Sequence, residues 1–270
     1  MASAVWGAAG AGLLGGRAYA GRMFRLRDTV TGRTGPVRPA RPGELRIWVA
    51  GQGGAPVIEA AELRSCVVAD LVRRVAERHR LLVTTWHQAP GEEPTSAATD
   101  RAHALRAAWD GLNIYPAEFA ASPADPLDVA VARDGQAGGS PAYRLEPGDA
   151  GPQAADGTGL DPLALRLVLL ERHYREPVVL SREVLETADQ KLRHWRDLVA
   201  GWARSPSKPM CAQYTGDILG AFDDDLDTPA AVRSLEALAA DPELPAGSKF
   251  ESFAYYDQLF GLDFARDVGR

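Results

Sequence analysis

The fold is decided by residues 45–86, LRIWVAGQGGAPVIEAAELRSCVVADLVRRVAERHRLLVTTW. Within it, "LRIWVA" at 45–50 and "LLVTTW" at 81–86 are short apolar strand candidates. Between them, residues 63–80 carry one apolar stripe at helical spacing, formed by Val67, Val68, Leu71, Val72 and Val75. A strand, a helix and a strand in this order predict a right-handed crossover unit of a parallel sheet, the start of a doubly wound fold.

The next segments extend this half of the chain and then break off. "TDRAHALRAAWDGLNIYP" predicts a helix from about Asp100 that ends at Gly111, and "DVAVA" at 128–132 predicts a third strand. Between Asp134 and Gly159 there are seven glycines, three prolines and few large apolar side chains. Such a composition predicts a flexible linker without packed elements.

From residue 160 onward the pattern is helical. "LDPLALRLVLLERHY" places four leucines on one stripe, with Asp161 and Pro162 suited to a helix start. A long helix is predicted over residues 181–204, and two shorter helices follow "FDDDLDTP" and "GSKFES". The last helix is predicted to open with a capping box of Ser248 and Glu251 and to end at Gly261. We expect an antiparallel bundle whose core contains Trp195, Trp202, Phe250, Phe253 and Phe260.

These patterns predict an α/β plus all-α protein in four segments. Residues 1–22 form a flexible N-terminal extension ahead of Met23, and residues 23–133 form a truncated Rossmann-like parallel sheet. Residues 134–159 are the linker, and residues 160–270 are the antiparallel helical bundle.

Charge and cysteine content restrict the function classes. The net charge is −6, and residues 160–270 carry 13 basic and 19 acidic side chains. Residues 17–46, in contrast, hold eight arginines against Asp28 and Glu44, which indicates either a solvated basic surface or an arm that contacts RNA. Two cysteines, Cys66 and Cys211, cannot build a disulfide framework or a four-cysteine zinc site, so we expect a cytoplasmic protein. No apolar run of membrane-spanning length occurs, so no membrane contact is expected.

Several stretches resemble the cysteinyl-tRNA synthetase family of class I. They are "LDPLALRLVLLERHYREPVVLSREVLETADQKLRHW" and "FDDDLDTPAAVRSLEALA" in the helical half, and "MFRLRDTVTGRTGPVRPARPGELRIWVAGQ", "LRSCVVADLVRR" and "LRAAWDGLNIYP" before it. The likeness covers Met23 to about Asp128 and Leu160 to Phe264. The mycothiol cysteine ligase, built on the same plan, is nearly as good a match. The resemblance implies a class I catalytic domain that activates cysteine with ATP.

The catalytic groups that the resemblance implies are replaced in this sequence. Aligned through Arg64, the family's His-Ile-Gly-His signature falls on residues 59–62, where Glu59 and Glu62 stand in place of the histidines. Carboxylates at a helix N-terminus favour the helix but repel phosphate. The first zinc ligand of the family falls on Ala50, followed by Gly51, and no lysine precedes Lys191 to supply the family's lysine loop. We therefore expect a degenerate nucleotide site at Ala50, Gly51, Glu59, Ala61, Glu62 and Arg64, without zinc, ATP or catalytic residues.

Two further groups have a functional and a structural interpretation. Asp223, Asp224, Asp225 and Asp227 could supply oxygen ligands to magnesium, but Asp227 or Thr228 is better explained as the cap of the helix that Pro229 begins. His173 lies where a helix is predicted to end, and we expect it to pack rather than to act as a base.

Two functions are compatible with these features. The first is a catalytically inactive synthetase-like protein that binds a partner, preferably a protein, with RNA contact possible through Arg25, Arg27, Arg33, Arg38 and Arg41 and with no DNA partner. The alternative is a residual ligase that activates cysteine or another amino acid with ATP, in which Arg46, Arg64, Arg73 and Arg74 replace the missing cations.

Overall fold

The computed structural model describes residues 24–51, 58–91, 95–123, 125–133, 140–150 and 159–270. The predicted extension at residues 1–22 lies outside the described residues. The α/β half consists of β1 (Arg25–Arg27), β2 (Thr34–Pro36), β3 (Glu44–Val49), α1 (Ala60–Arg78), β4 (Leu82–Gln88), α2 (Ser96–Gly111), β5 (Glu118–Ala120), β6 (Val129–Val131) and β7 (Tyr143–Leu145). The helical half consists of α3 (Pro162–Leu170), α4 (Arg182–Trp202), α5 (Ala212–Asp223), α6 (Thr228–Ala240) and α7 (Ala246–Phe260).

A five-stranded parallel sheet forms the centre of the α/β half, in the order β5-β4-β3-β6-β7. After the β1–β2 hairpin, the chain enters this sheet at the central strand β3, moves outward through β4 to β5, and returns to the other side of β3 for β6 and β7. This doubly wound, Rossmann-like order confirms the predicted fold class and the strands predicted at β3, β4 and β6. β5 and β7 were not predicted.

α1 and α2 cover one face of the sheet. Their apolar side chains share a core with Ile47 of β3, Val83 of β4 and Val129 of β6, and these three side chains are almost completely buried. Thr95 caps α2 by accepting a hydrogen bond from Ala98 N at 3.2 Å, which explains why this helix begins four residues before the predicted Asp100.

The segment predicted as a linker is part of the packed structure where it is described, so the prediction of a linker without packed elements is wrong for residues 140–150. β7 pairs with β6 there, and the side chains of Leu145 and Ala150 have no exposed surface. The surrounding glycines and prolines do not prevent this three-residue strand, because the neighbouring strand β6 supplies its hydrogen bonds. Residues 134–139 and 151–158 lie outside the described residues, and the division into domains stays a prediction.

The helical half has the predicted core. Trp195, Phe253 and Phe260 are buried, whereas Trp202 and Phe250 are only partly buried. α3 begins after Asp161 with Pro162 in its first turn, and α7 ends at Gly261 in the left-handed conformation, both as predicted. The predicted capping box at Ser248 does not form, because α7 starts two residues earlier, after a proline whose fixed φ suits a helix start.

α1 also packs against α3 and α7, so the two halves share one hydrophobic core. Within the described ranges, no helix is both long enough and apolar enough to cross a membrane.

Candidate functional site

The candidate site lies where β3 and β4 end and α1 begins. This carboxyl edge, beside the point at which the strand order reverses, is where open parallel sheets bind their ligands. Ala50 and Gly51 follow β3, and both are buried. The backbone N–H of Gly51 donates to Gln88 Oε1 at the end of β4, at 3.2 Å, so the two strand ends are joined directly.

A buried ion pair occupies the first turn of α1. The Glu62 carboxylate is 1% exposed and accepts from the guanidinium of Arg101, which α2 brings to this edge. Glu59 is exposed at the N-cap position, and its side chain makes no cap hydrogen bond. Glu59 and Glu62 were predicted to stabilise the N-terminus of this helix, and Glu62 also forms an ion pair with α2.

His87 adds an imidazole to this edge. Its ring is 1% exposed, with Nδ1 2.8 Å from the carbonyl oxygen of Gln88 and Nε2 3.5 Å from Glu62 Oε1. Burial, together with the nearby charge of Arg101, lowers the pKa of His87 to about 4, so the ring is neutral at pH 7. The neutral ring donates from Nδ1 to Gln88, and the contact with Glu62 is not an ion pair.

The space enclosed by these groups is small. Gly51, Glu62, His87, Gln88, Arg101 and Leu105 line a cavity of about 10 Å³. That volume admits roughly one water molecule, whereas sites for nucleotide-sized ligands enclose about 300 Å³ or more. The described residues thus form a closed polar cluster at this edge.

Arg64 faces away from this cluster. Its guanidinium donates to three backbone carbonyls, those of Gly148 at 2.9 Å, Asp149 at 3.0 Å and His173 at 3.0 Å. Burial lowers its pKa to about 10, which leaves it charged at neutral pH. Arg64 therefore ties α1 to the segment after β7 and to the end of α3. Of the predicted site residues, only Gly51 and Glu62 line the cavity.

The other arginines proposed as replacement cations also have protein partners. Arg46 donates to a backbone carbonyl at 3.3 Å, and Arg73 pairs with Glu77 at 2.8 Å. Arg74 pairs with Asp70 at 2.7 Å and donates to two further carbonyls. None of these guanidiniums lines the cavity at the carboxyl edge.

The acidic cluster after α5 has structural contacts. Asp227 caps α6 by accepting from Ala230 N at 3.0 Å, as predicted. Asp225 accepts from Arg27 N at 2.8 Å, from the Tyr174 hydroxyl at 2.9 Å and from Arg175 at 2.9 Å. In the part of the chain that is described, no three His, Cys, Asp or Glu side chains converge as metal ligands.

From residue 24 onward, where it is described, the basic stretch forms the β1–β2 hairpin and the segment after it. Arg25, Arg33, Arg38 and Arg41 are exposed, and Arg27 is half-buried. Two of them have acidic neighbours, since Arg25 lies 3.6 Å from Asp224 and Arg41 4.0 Å from Glu44. Exposed pairs at such distances are weak, so these guanidiniums face mainly solvent.

Sequence reasoning missed Arg101 and His87, although each carried a signal. Arg101 lies on one helical stripe with Leu105 and Trp109, the other two buried residues of α2. His87 lies at every-second-residue spacing with Val83 and Thr85, on the same buried face of β4. A charged or polar residue in register with a buried stripe indicates a buried polar contact.

The strand order and the polar cluster at the carboxyl edge define a Rossmann-like α/β fold with a helical half packed against it. No protein-family profile matches the chain. Among curated proteins, the L-cysteine:1D-myo-inositol 2-amino-2-deoxy-alpha-D-glucopyranoside ligase of Nakamurella multipartita is 40% identical over 104 residues, which are 38% of this chain and 24% of that ligase. The ligase of the same description from Gordonia bronchialis is 38% identical over 90 residues, 33% of this chain and 21% of the ligase. The cysteine–tRNA ligase of Rhodospirillum centenum is 37% identical over 76 residues, 28% of this chain and 16% of the ligase.

These matches confirm the resemblance read from the sequence: the chain is a homologue of the mycothiol cysteine ligases and cysteine–tRNA ligases. The matched segments span at most about a quarter of the length of these curated relatives.

Proposed function

We propose that this chain is a synthetase-like protein that does not activate an amino acid and that acts by binding a protein partner. The observation that supports this proposal is the buried ion pair between Glu62 and Arg101 at the N-terminus of α1. A helix N-terminus and an arginine together would attract phosphate. Here the Glu62 carboxylate already neutralises that arginine.

Neither electrostatics nor volume favours a bound triphosphate at this edge. At 4 Å, the attraction of a phosphate to Arg101 would be about 1 kcal/mol per unit charge in water and about 4 kcal/mol at an effective dielectric constant of 20, and repulsion by the Glu62 carboxylate offsets it. The cavity of about 10 Å³ is too small for a nucleotide. Since catalysis of phosphoryl and adenylyl chemistry is mostly electrostatic stabilisation of developing charge, a neutralised cation contributes little to it.

A residual ATP-dependent ligase acting on cysteine or another amino acid is the alternative. It is supported by the names of the relatives, which are ligases that join cysteine to an amino sugar or to tRNA. In this alternative the reaction uses cations outside the cluster described above.

Cysteine-dependent exchange between ATP and pyrophosphate distinguishes the two functions. The expected rate equals that of a control without protein, while the Rhodospirillum centenum cysteine–tRNA ligase, assayed in parallel, shows exchange. ATP with cysteine is also expected to leave the melting temperature unchanged, because only a ligand that binds the folded state raises it. Exchange above the control would overturn the proposal in favour of the ligase.

The partner is tested with purified components. The host's own cysteine–tRNA ligase is mixed with this chain, and formation of a complex is followed by size-exclusion chromatography and light scattering. Host tRNA is tested in parallel across a salt series. Binding to tRNA that weakens steeply with salt, and that is reduced by Arg38→Glu but not by Arg233→Glu on α6, would replace the protein partner with RNA.

A further inference from the structure

A second cavity lies behind the candidate site, between β4, α1 and α2. It has a volume of about 10 Å³, and most of its wall is apolar. Polar side chains also line it, among them Asp70 of α1, Thr85 and His87 of β4, and Trp109 of α2. Thr85 is 9% exposed and Trp109 is 2% exposed. Within the described residues, Thr85 Oγ1 and Trp109 Nε1 have no oxygen or nitrogen partner, and the group beside the indole is the Cys66 thiol, which is only a weak acceptor.

The two polar groups are chemically complementary to one small molecule. The indole N–H only donates, and the threonine hydroxyl both donates and accepts. Buried polar groups in folded proteins nearly always have a partner, supplied by protein or by ordered water. A cavity of this size accommodates one water molecule and nothing larger.

We propose that this cavity is the binding site of one structural water molecule that joins β4 to α2. The water accepts from Trp109 Nε1 and exchanges a hydrogen bond with the Thr85 hydroxyl. His87, which also lines the cavity, has its ring centroid 5.6 Å from that of Trp109. Trp109 in turn stacks on Phe119 of β5 at 5.4 Å. The water thereby fixes the indole against which the His87 ring packs.

Thr85→Val tests the site because the sign of its effect depends on the water. If the water is bound, valine removes one of its partners and leaves the indole N–H less well satisfied, so the melting temperature falls by about 2–4 °C. If the cavity is dry, valine replaces an unsatisfied hydroxyl with a methyl group of similar shape, and the melting temperature stays the same or rises. The second outcome overturns the proposal.

Two controls isolate the effect of the hydroxyl. Thr85→Ser keeps the hydroxyl, so comparison with it separates loss of the hydrogen bond from loss of the methyl group. Thr84→Val makes the same substitution at the next residue of β4, which faces the opposite side of the sheet, and is expected to change the melting temperature by less than about 1 °C. A larger fall for Thr84→Val than for Thr85→Val contradicts the proposal.

A crystal structure of the unaltered chain at high resolution provides a test that does not depend on a variant folding. The expected result is a density peak within about 2.7–3.2 Å of both Thr85 Oγ1 and Trp109 Nε1. Absence of a peak there overturns the proposal.

Discussion

Replacement of Asp70 by asparagine tests the polar network that joins the two halves of the protein. The Asp70 side chain has no exposed surface, and its Oδ2 accepts from Arg74 Nε at 2.7 Å and from Arg166 Nη2 at 2.6 Å. Its Oδ1 accepts from the backbone N–H of Tyr115 at 3.0 Å. One carboxylate thus balances a guanidinium of its own helix and another from α3.

The expected cost follows from the burial of all three charged groups. Arg166 is fully buried and would keep its hydrogen bonds to the carbonyls of Phe260 and Leu112, but it would lose the carboxylate that neutralises it. Breaking a buried ion pair by removing one partner costs about 3–5 kcal/mol. Since domains of this kind are typically stable by about 5–15 kcal/mol, Asp70→Asn is expected to remove a large part of the free energy of unfolding.

Urea unfolding followed by tryptophan fluorescence measures this loss. Asp197→Asn, at an exposed position of α4, is the matched control and should change the free energy of unfolding by less than about 0.5 kcal/mol. The two halves share this network and one core, so we also expect a single transition for the unaltered chain. A change below about 1 kcal/mol for Asp70→Asn, or two separate transitions in the unaltered chain, would refute the reasoning.

Three further predictions concern packing, thiol reactivity and pH. A Cβ at Gly247 would lie 2.0 Å from a backbone carbonyl oxygen, so Gly247→Ala should lower the free energy of unfolding by about 1–3 kcal/mol. A Cβ at Gly201 in α4 would have nothing within 4 Å, so Gly201→Ala should raise the free energy of unfolding by up to about 1 kcal/mol. Cys66 is buried, which raises its pKa to about 12, whereas Cys211 is half-buried. A disulfide reagent should therefore modify Cys211 in the native protein and Cys66 only after denaturation. Rapid modification of both thiols in the native protein would contradict this. Burial lowers the pKa of His87 to about 4 in the folded state, so below pH 6.5 the unfolded state binds the proton more readily than the folded state. The free energy of unfolding should therefore fall by about 3 kcal/mol between pH 6.5 and 4. The same measurement on His87→Gln should show a correspondingly shallower pH dependence.

The elements with strong periodicity were predictable, and the short or locally unfavourable ones were not. β3, α1 and β4 follow from apolar patterns of six residues or more. β5 and β7 have three residues each, too few for a pattern, and their pairing depends on the strands beside them. α5 was missed because Gly216 and Gly220 lower its helix propensity, while burial of Ile218, Leu219 and Phe222 stabilises it in the folded chain.

The candidate site was predictable in location but not in composition. The strand-to-helix connection after β3 indicated the carboxyl edge of the sheet, and Glu62 was recognised there as an unfavourable neighbour for phosphate. Its partner Arg101 lies 39 residues away along the chain, and only the packing of α2 brings the two together. Local sequence patterns specify which face of a helix is buried, but they do not specify which buried charges meet.

The buried arginines show where the positive charge in the core of this chain is used. Arg64 donates to three backbone carbonyls, and Arg166 donates to Asp70 and to carbonyls at the ends of α2 and α7. A guanidinium has five donors in a fixed plane, so it can donate to several buried carbonyls at helix and strand ends that have no backbone partner. Arg64 and Arg166 therefore stabilise backbone segments, and Arg101 neutralises Glu62. An arginine that is paired with Glu62 has little charge left to stabilise a reacting phosphate at that edge, and this distribution of charge is the physical basis of the proposed function.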